Sequence, residues 1–140
     1  MSYKKDRGIT LAEMLMVIII IGILAALALP RFGKTKEHAI GKEAIANLKL
    51  IAAAEKIYRM ELNAYYPYSA GSQSDITNIN NYLRLSITEA NWDYSVTTTG
   101  IPASTFTAEG DRTTGDYSSC IYRISNTTDE PAPVVPANCP

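Results

Sequence analysis

The sequence is poor in the residues on which most catalytic and metal sites depend. Its 140 residues include one histidine, His38, and two cysteines. His38 has no second histidine or cysteine near it in the sequence, so it predicts neither a metal ligand nor a catalytic base. No Ser/His/Asp, Cys/His or phosphate-loop pattern is present. These absences leave almost no support for an enzyme, and they predict no resident cofactor or metal.

An excess of positive charge is also missing. The chain has 13 basic and 14 acidic side chains, a formal net charge of −1. A nucleic-acid partner is therefore not expected, because such binding depends on a basic face that neutralises phosphates. The charges are unevenly placed, with Lys4, Lys5 and Arg7 just before a long apolar run.

That run, residues 9–29, has polar side chains only at Thr10 and Glu13. About 20 apolar residues of helix are enough to cross a bilayer core. The run exceeds the roughly 7–15 apolar residues of a secretory signal peptide. It predicts a transmembrane helix, but basic residues follow the run as well as precede it, so the positive-inside rule gives only a weak orientation.

Glu13 is the unusual residue of the run, because an ionisable group in the apolar phase costs several kcal/mol unless it is paired or near the interface. Thr10 and Glu13 have the spacing of a helix capping box, which would explain the pair without a special function. A plain membrane anchor does not otherwise account for the carboxylate.

The string from Lys4 to Leu15, KKDRGITLAEML, closely resembles the prepilin leader of type IV pilins and type II secretion pseudopilins. The resemblance implies that a prepilin peptidase/methyltransferase removes a leader, residues 1–8, by cutting between Gly8 and Ile9, and then methylates Ile9. It also implies an assembly role for Glu13, whose carboxylate would face the Ile9 amine of a neighbouring subunit. Because positions i and i+4 share a helix face, the subunit's own Ile9 amine is the competing partner.

Two further positions, Gly22 and Pro30, match a glycine and a helix-kinking proline that are common in the family. The resemblance covers about the first third of the chain in detail. Ile9 departs from it, since phenylalanine is usual there, as do Ala12 and Met14, where bulkier aliphatics are common.

The function implied is that of a structural subunit, which polymerises with copies of itself into a type IV pilus or a type II secretion pseudopilus. The implied location is the bacterial inner membrane, with the C-terminal part outside the cytoplasm, and then a periplasmic or extracellular filament. Its implied partners are the lipid bilayer before assembly, an inner-membrane assembly platform and minor pilins. The competing hypothesis is an unprocessed binding module on a single-span anchor.

Four regions are expected: the leader, a transmembrane and filament-core helix at 9–30, an amphipathic continuation at 31–65, and a globular part at 66–140. Pro30 should bend the helix rather than end it. The stripe on the continuation predicts packing under a small sheet, with a coiled-coil seam as the alternative. Its residues are Ile40, Ala44, Leu48, Ile51, Ala54, Tyr58 and Leu62.

The globular part predicts an α+β fold, in which the long helix packs on a three-stranded antiparallel sheet. Alternation places the strands at 92–96, 105–108 and 119–124. A loop is predicted over 67–81. The apolar residues within and after it suggest a short helical turn tucked onto the domain; they are Ile76, Ile79, Tyr82, Leu83 and Leu85. The glycines from Gly110 to Gly115 predict an acidic turn, for which a calcium site is the less favoured interpretation.

The two cysteines, Cys120 and Cys139, suggest one disulfide in an oxidising compartment, with two unpaired thiols as the alternative. The proline-rich tail from Asp129 cannot pair as a central strand. A Cys120–Cys139 bridge would pin it, and this resembles the disulfide-bounded C-terminal region of many type IV pilins. Asn126–Thr128 fits a glycosylation acceptor and predicts a surface loop.

Overall fold

The computed structural model describes residues 8–140, apart from the side chains of residues 27–32. The chain divides into two compact units, one ending at Lys36 and the other comprising Glu37–Pro140. We call the second unit the head. Helix α1, Leu11–Leu62, contributes to both units, and every other element lies in the head.

Helix α1 is 52 residues long and continues past Pro30, as predicted. Among the residues that the structure describes, no helical stretch is both long and apolar enough to cross a membrane. The transmembrane assignment of residues 9–30 therefore stays a prediction.

The end of α1 is set by Asn63, which has a φ of 54°. Its backbone N–H donates to the carbonyl of Arg59 at 2.8 Å and so closes the last turn. Asparagine is one of the few residues that adopt this left-handed conformation readily. The helix therefore ends at Leu62, three residues before the predicted end at Tyr65.

In the head, one face of α1 is buried in the core, as the predicted stripe requires. Ala44, Leu48, Ile51 and Ala54 are buried, and Ile40 and Tyr58 are partly buried. Leu62 is the exception, since it is the last residue of the helix and half exposed. The stripe contributes to the chain's own core, which excludes the coiled-coil interpretation for these residues.

The sheet has five strands, not the predicted three, and their order is that of the chain. All four pairings are antiparallel. The strands are β1 Gly71–Gln73, β2 Trp92–Thr99, β3 Thr105–Arg112, β4 Ile121–Ser125 and β5 Ala132–Pro133. The predicted strands correspond to β2, β3 and β4. The two edge strands were missed because three and two residues are too few to show an alternating pattern.

Strand β3 continues through Gly110, where a turn was predicted. Gly110 pairs with Tyr94 of β2, and a Cβ added there would approach Cε1 of the Tyr94 ring to 3.2 Å. Glycine in a strand interior often marks such a close approach rather than a turn. The turn begins only after Arg112 and includes Gly115, whose φ is 88°.

The predicted helical turn is an eight-residue helix, α2, Ile76–Leu83. Asp75 caps it, because its side chain accepts hydrogen bonds from the N–H groups of Thr77 and Asn78. This arrangement satisfies backbone donors that have no partner inside the helix. Ile79 and Leu83 are buried and fix α2 to the core.

The tail is held at the edge of the sheet. A disulfide joins Cys120 to Cys139, and the N–H of Val134 donates to the carbonyl of Ile121 at 2.8 Å. The pairing of β5 stops at Pro133, as expected of a proline-containing segment that can only form an edge. The tail is thus pinned rather than free.

Candidate functional site

Thr10 and Glu13 form a capping box at the start of α1. Both the N–H and the hydroxyl of Thr10 donate to Oε2 of Glu13, at 2.8 and 2.9 Å. The N–H of Glu13 donates back to Oγ1 of Thr10 at 3.3 Å. The local capping predicted from the spacing is therefore present, and it holds the carboxylate of Glu13 at the N-terminal end of the helix.

The described side chains around this cap are apolar and exposed. Ile9 and Leu11 are 72% and 83% exposed. The other exposed large apolar residues of this unit are Met14, Leu15, Met16, Val17, Ile18, Ile19, Ile20, Ile21, Ile23 and Leu24. A continuous apolar surface of this size is rare on a soluble monomer and indicates an interaction with a membrane or another protein.

The glycines of this unit have no packing reason within their own chain. A Cβ added at Gly8 or Gly22 would meet no atom within 4 Å. Gly41 of the head differs, because a Cβ there would lie 3.4 Å from the hydroxyl oxygen of Tyr122. The predicted leader lies outside the described residues except for Gly8, and the side chain of Pro30 lies outside them too.

In the head, Glu55 is a fully buried carboxyl group that the sequence analysis missed. Its Oε2 accepts a hydrogen bond from the N–H of Tyr66 at 2.8 Å, while Oε1 has no partner. Burial raises the pKa of Glu55 to about 8. The only sequence signal was its position three to four residues from Ile51, Ala52 and Tyr58, on the face that packs inward.

Arg112, at the end of β3, is also buried. Its guanidinium donates to both carboxylate oxygens of Glu37 on α1, at 3.4 and 3.1 Å, and to the carbonyl of Asn91 at 3.2 Å. The same guanidinium lies over the ring of Trp92, 5.6 Å from its centroid. This ion pair therefore fixes the start of the head's share of α1 to the sheet.

Two acidic residues of the predicted turn, Glu109 and Asp111, lie in β3 instead. Glu109 forms an ion pair with Arg123, and Asp111 pairs across the sheet with Asp93. Burial, followed by the neighbouring Glu109 and Asp93 charges, raises the pKa of Asp111. Within residues 8–140 the structure shows no group of three potential metal ligands, and His38 is exposed.

The prokaryotic N-terminal methylation motif matches residues 3–29, which include Gly8, the capping box and Gly22. The chain is 40% identical over 65 residues to the type IV major pilin protein PilA of Myxococcus xanthus, covering 46% of this chain and 30% of the relative. These matches make part of this chain similar to the pilins and pseudopilins.

Two relatives from type II secretion systems have sequence identities to this chain that are similar to that of PilA. The type II secretion system core protein G of Pectobacterium carotovorum is 32% identical over 76 residues, which is 54% of this chain and 49% of the relative. The protein of the same name from Escherichia coli K12 is 38% identical over 63 residues, 45% and 43% of the two chains. The chain thus spans about half the length, or less, of the curated relatives it matches. No solved structure matches it.

These three relatives are a type IV major pilin and two type II secretion system core proteins, and none of them is named as an enzyme. Several tyrosines of the head pack in its core. Tyr65, Tyr66, Tyr94 and Tyr122 are buried in the core of the head, where aromatic residues contribute large buried areas. Tyr68 and Tyr82 are about half exposed.

Proposed function

We propose that this chain is a filament subunit made as a precursor, cleaved between Gly8 and Ile9, methylated at Ile9 and polymerised through its apolar helix. Residues 9–29 would hold it in the inner membrane before assembly, with the head outside the cytoplasm. The observation that carries the proposal is the position of Glu13. Its carboxylate belongs to a capping box at the N-terminal end of an exposed apolar helix, and it lies within the segment that matches the methylation motif.

Burial of the apolar side chains supplies the driving force that transfers the helix out of water. Burying one leucine or isoleucine side chain stabilises by about 1.5–3 kcal/mol. With twelve large apolar side chains exposed between Ile9 and Leu24, burial against lipid or neighbouring helices outweighs the cost of one carboxylate by a wide margin. Such a helix is poorly suited to an isolated, soluble state.

The Glu13 carboxylate would then select the axial register in which neighbouring helices pack. A buried charge is costly alone and tolerable beside an opposite charge. Cleavage after Gly8 creates an amine at Ile9, and the Glu13 carboxylate of an adjacent subunit would neutralise it. The hydrogen bonds from Thr10 hold Glu13 at the same end of the helix, so Thr10 acts as a positioning residue.

Gly22 supports the same interpretation. Glycine inside a helix costs about 1 kcal/mol relative to alanine, and Gly22 has no packing reason within the chain. Close contact with a neighbouring helix would account for it. Pro30 is proposed to ease a bend or local unwinding of the helix in the filament.

The partners follow from this life cycle: a prepilin peptidase/methyltransferase, the lipid bilayer, an inner-membrane assembly platform, minor pilins and copies of the chain itself. The disulfide between Cys120 and Cys139 suits the oxidising space outside the cytoplasm. The filament is a type IV pilus or a type II secretion pseudopilus, and both kinds of subunit occur among the relatives.

The experiment that tests assembly is a Glu13→Ala variant in cells that form filaments from the wild-type chain. We expect normal membrane insertion, because an apolar residue replaces a charge, but a loss of filaments. Leu11→Ala is the matched control, since it removes a large apolar side chain and leaves the carboxylate in place. Filaments of Glu13→Ala at the wild-type level would rule out the proposed role of Glu13.

A further inference from the structure

A cleft of about 470 Å³ lies at the C-terminal end of α1, in the head. Its lining residues are Lys56, Arg59, Met60, Asn63 and Tyr65. The first four have the spacing i, i+3, i+4 and i+7, which brings side chains to one face of a helix. Clefts of this size commonly hold small ligands. The lining includes two positive charges and no acidic side chain.

The guanidinium of Arg59 is held in place by an aromatic ring. It donates a hydrogen bond to the hydroxyl oxygen of Tyr65 at 2.7 Å, and its Cζ atom lies 4.8 Å from the centroid of that ring. Tyr65 is itself fixed, because it is buried, its ring packs on Phe106 and its N–H donates to the carbonyl of Ala103 at 3.0 Å. A side chain ordered in advance loses less conformational entropy when a ligand binds.

Arg59 differs from the other arginines of the head in having no carboxylate partner among residues 37–140. Each of the others forms an ion pair with a glutamate. These pairs are Arg84–Glu61, Arg112–Glu37 and Arg123–Glu109. A guanidinium has five N–H donors, and the contact with Tyr65 uses only one of those of Arg59. An ordered arginine without a counter-charge, in a cleft, is suited to binding an anion.

The other polar side chains of the cleft add donors. The ammonium group of Lys56 lies 3.9 Å from Asp129, whose side chain is fully exposed, so this ion pair contributes little and can be exchanged. The side-chain amide of Asn63 and the hydroxyl proton of Tyr65 are neutral donors in the same lining. Charged and neutral donors therefore line the same space.

The position at a helix C-terminus does not prevent anion binding. A helix end of this kind has a partial charge of about −0.5, which the charges of Lys56 and Arg59 outweigh. In addition, the carbonyl of Arg59 accepts a hydrogen bond from the N–H of Asn63 at 2.8 Å. This carbonyl oxygen is thus satisfied within the chain.

The number and charge of the donors favour a phosphate group over a carboxylate. A phosphate monoester has a charge of about −1.5 to −2 at pH 7 and three acceptor oxygens. The fork of Arg59 can bind two of these oxygens, and Lys56 can bind the third. A carboxylate has one negative charge and two oxygens, so it would match Arg59 alone.

We propose that the cleft lined by Lys56, Arg59, Asn63 and Tyr65 binds a phosphate group, with Arg59 as its main ligand and Lys56 as the second. The group belongs to a soluble phosphate ester or to a lipid headgroup, which share this chemistry. Such binding goes beyond the proposed filament function, and none of the cleft residues belongs to the apolar segment at 9–29.

The first test titrates the detergent-solubilised full chain with glycerol phosphate at constant ionic strength, and follows the amide resonances of Asn63 and Tyr65 by NMR. We expect saturable shifts of both. Arg59→Gln should weaken binding by about tenfold or more, because it removes the bidentate charged contact. Arg84→Gln is the matched control, since it removes the same charge from an exposed arginine outside the cleft, and its affinity should stay within about twofold.

A second variant, Lys56→Gln, covers the case in which Arg59→Gln disturbs the end of α1. Lys56 makes only the exposed contact with Asp129, so this variant should keep the near-ultraviolet circular dichroism of the wild type and still bind several-fold more weakly. Normal binding by Lys56→Gln, or equal losses in Arg59→Gln and Arg84→Gln, would overturn the site. Acetate that binds as tightly as glycerol phosphate would overturn the assignment to phosphate.

The two sources of the phosphate group are separated in nanodiscs. In phosphatidylcholine discs, shifts of the Asn63 and Tyr65 resonances on addition of glycerol phosphate would support a soluble ligand. In discs that contain phosphatidic acid, the same shifts without any added ligand would support a lipid headgroup. If the resonances shift in neither experiment, the proposal is wrong, and the proposed assembly of filaments through residues 9–29 is unaffected.

Discussion

The buried carboxyl group of Glu55 on α1 accepts a hydrogen bond from the backbone N–H of Tyr66, 2.8 Å away, in the segment that follows the helix. The contact joins the last turns of α1 to the chain that leads into β1. Because the second carboxyl oxygen has no partner, the neutral acid is far easier to keep in this position than the carboxylate.

The first prediction is that stability falls as pH rises. The folded chain keeps the Glu55 proton until about pH 8, whereas the unfolded chain releases it near 4.5. Between these values the folded state binds more protons, so the free energy of unfolding falls with rising pH, by up to a few kcal/mol. Denaturant unfolding of the detergent-solubilised chain at pH 5 and pH 8 measures the difference.

The matched variants for this prediction are Glu55→Gln and Glu61→Gln. The glutamine at 55 cannot ionise, so most of the decline between pH 5 and 8 should vanish, whereas the change at the exposed Glu61 should leave it in place. An equal decline in all three proteins would show that Glu55 does not control it.

The second prediction concerns the close approach at Gly110. A methyl group there would meet the Tyr94 ring at 3.2 Å, so Gly110→Ala should destabilise the head by about 1–3 kcal/mol. Gly71→Ala is the control, because its nearest neighbour atom would lie 3.9 Å away, an ordinary contact. Thermal unfolding followed by near-ultraviolet circular dichroism compares them. Equal melting temperatures would contradict the packing role of Gly110.

The third prediction contrasts a buried and an exposed ion pair. Arg112→Ala leaves Glu37 without its partner in a largely buried setting and should cost about 3 kcal/mol. Arg123→Ala removes a more exposed pair with Glu109 and should cost less than about 1 kcal/mol. Chemical unfolding of the two variants gives both values. A similar loss of stability in both variants would mean that the Arg112–Glu37 pair stabilises the head no more than an exposed ion pair does.

The fourth prediction is that the tail disulfide stabilises the head. Cys120 and Cys139 close a loop with a sequence separation of 19. A loop of this size contributes about 3 kcal/mol through the entropy of the unfolded chain. Reductant should therefore lower the melting temperature of the wild-type chain. It should leave a Cys120→Ala/Cys139→Ala variant unchanged, and a wild-type chain insensitive to reductant would refute the prediction.

The parts of the fold that the sequence predicts are those with a local pattern. The buried stripe on α1, the three central strands and the capping box at Thr10 each follow from a repeat or spacing within a few residues. The two edge strands are too short to show such a pattern. The end of α1 before Tyr65 depends on the conformation of one residue, Asn63, and not on a repeated pattern.

The remaining differences come from contacts between distant residues. In the sequence, Gly110 suggests a turn, whereas in the structure it lies in a strand opposite Tyr94. Glu55 and Arg112 are charged residues for which no local sequence pattern indicates burial, and each is buried where a partner from another part of the chain meets it.

The measurement that tests the central claim most directly is the intact mass of the chain purified from membranes of its native host. The proposed function predicts the loss of residues 1–8 and the gain of one methyl group on Ile9. A variant with Gly8 replaced by a bulky residue should keep the leader. A wild-type mass that still includes Lys4 to Arg7 would contradict the account and favour an unprocessed membrane-anchored binding module.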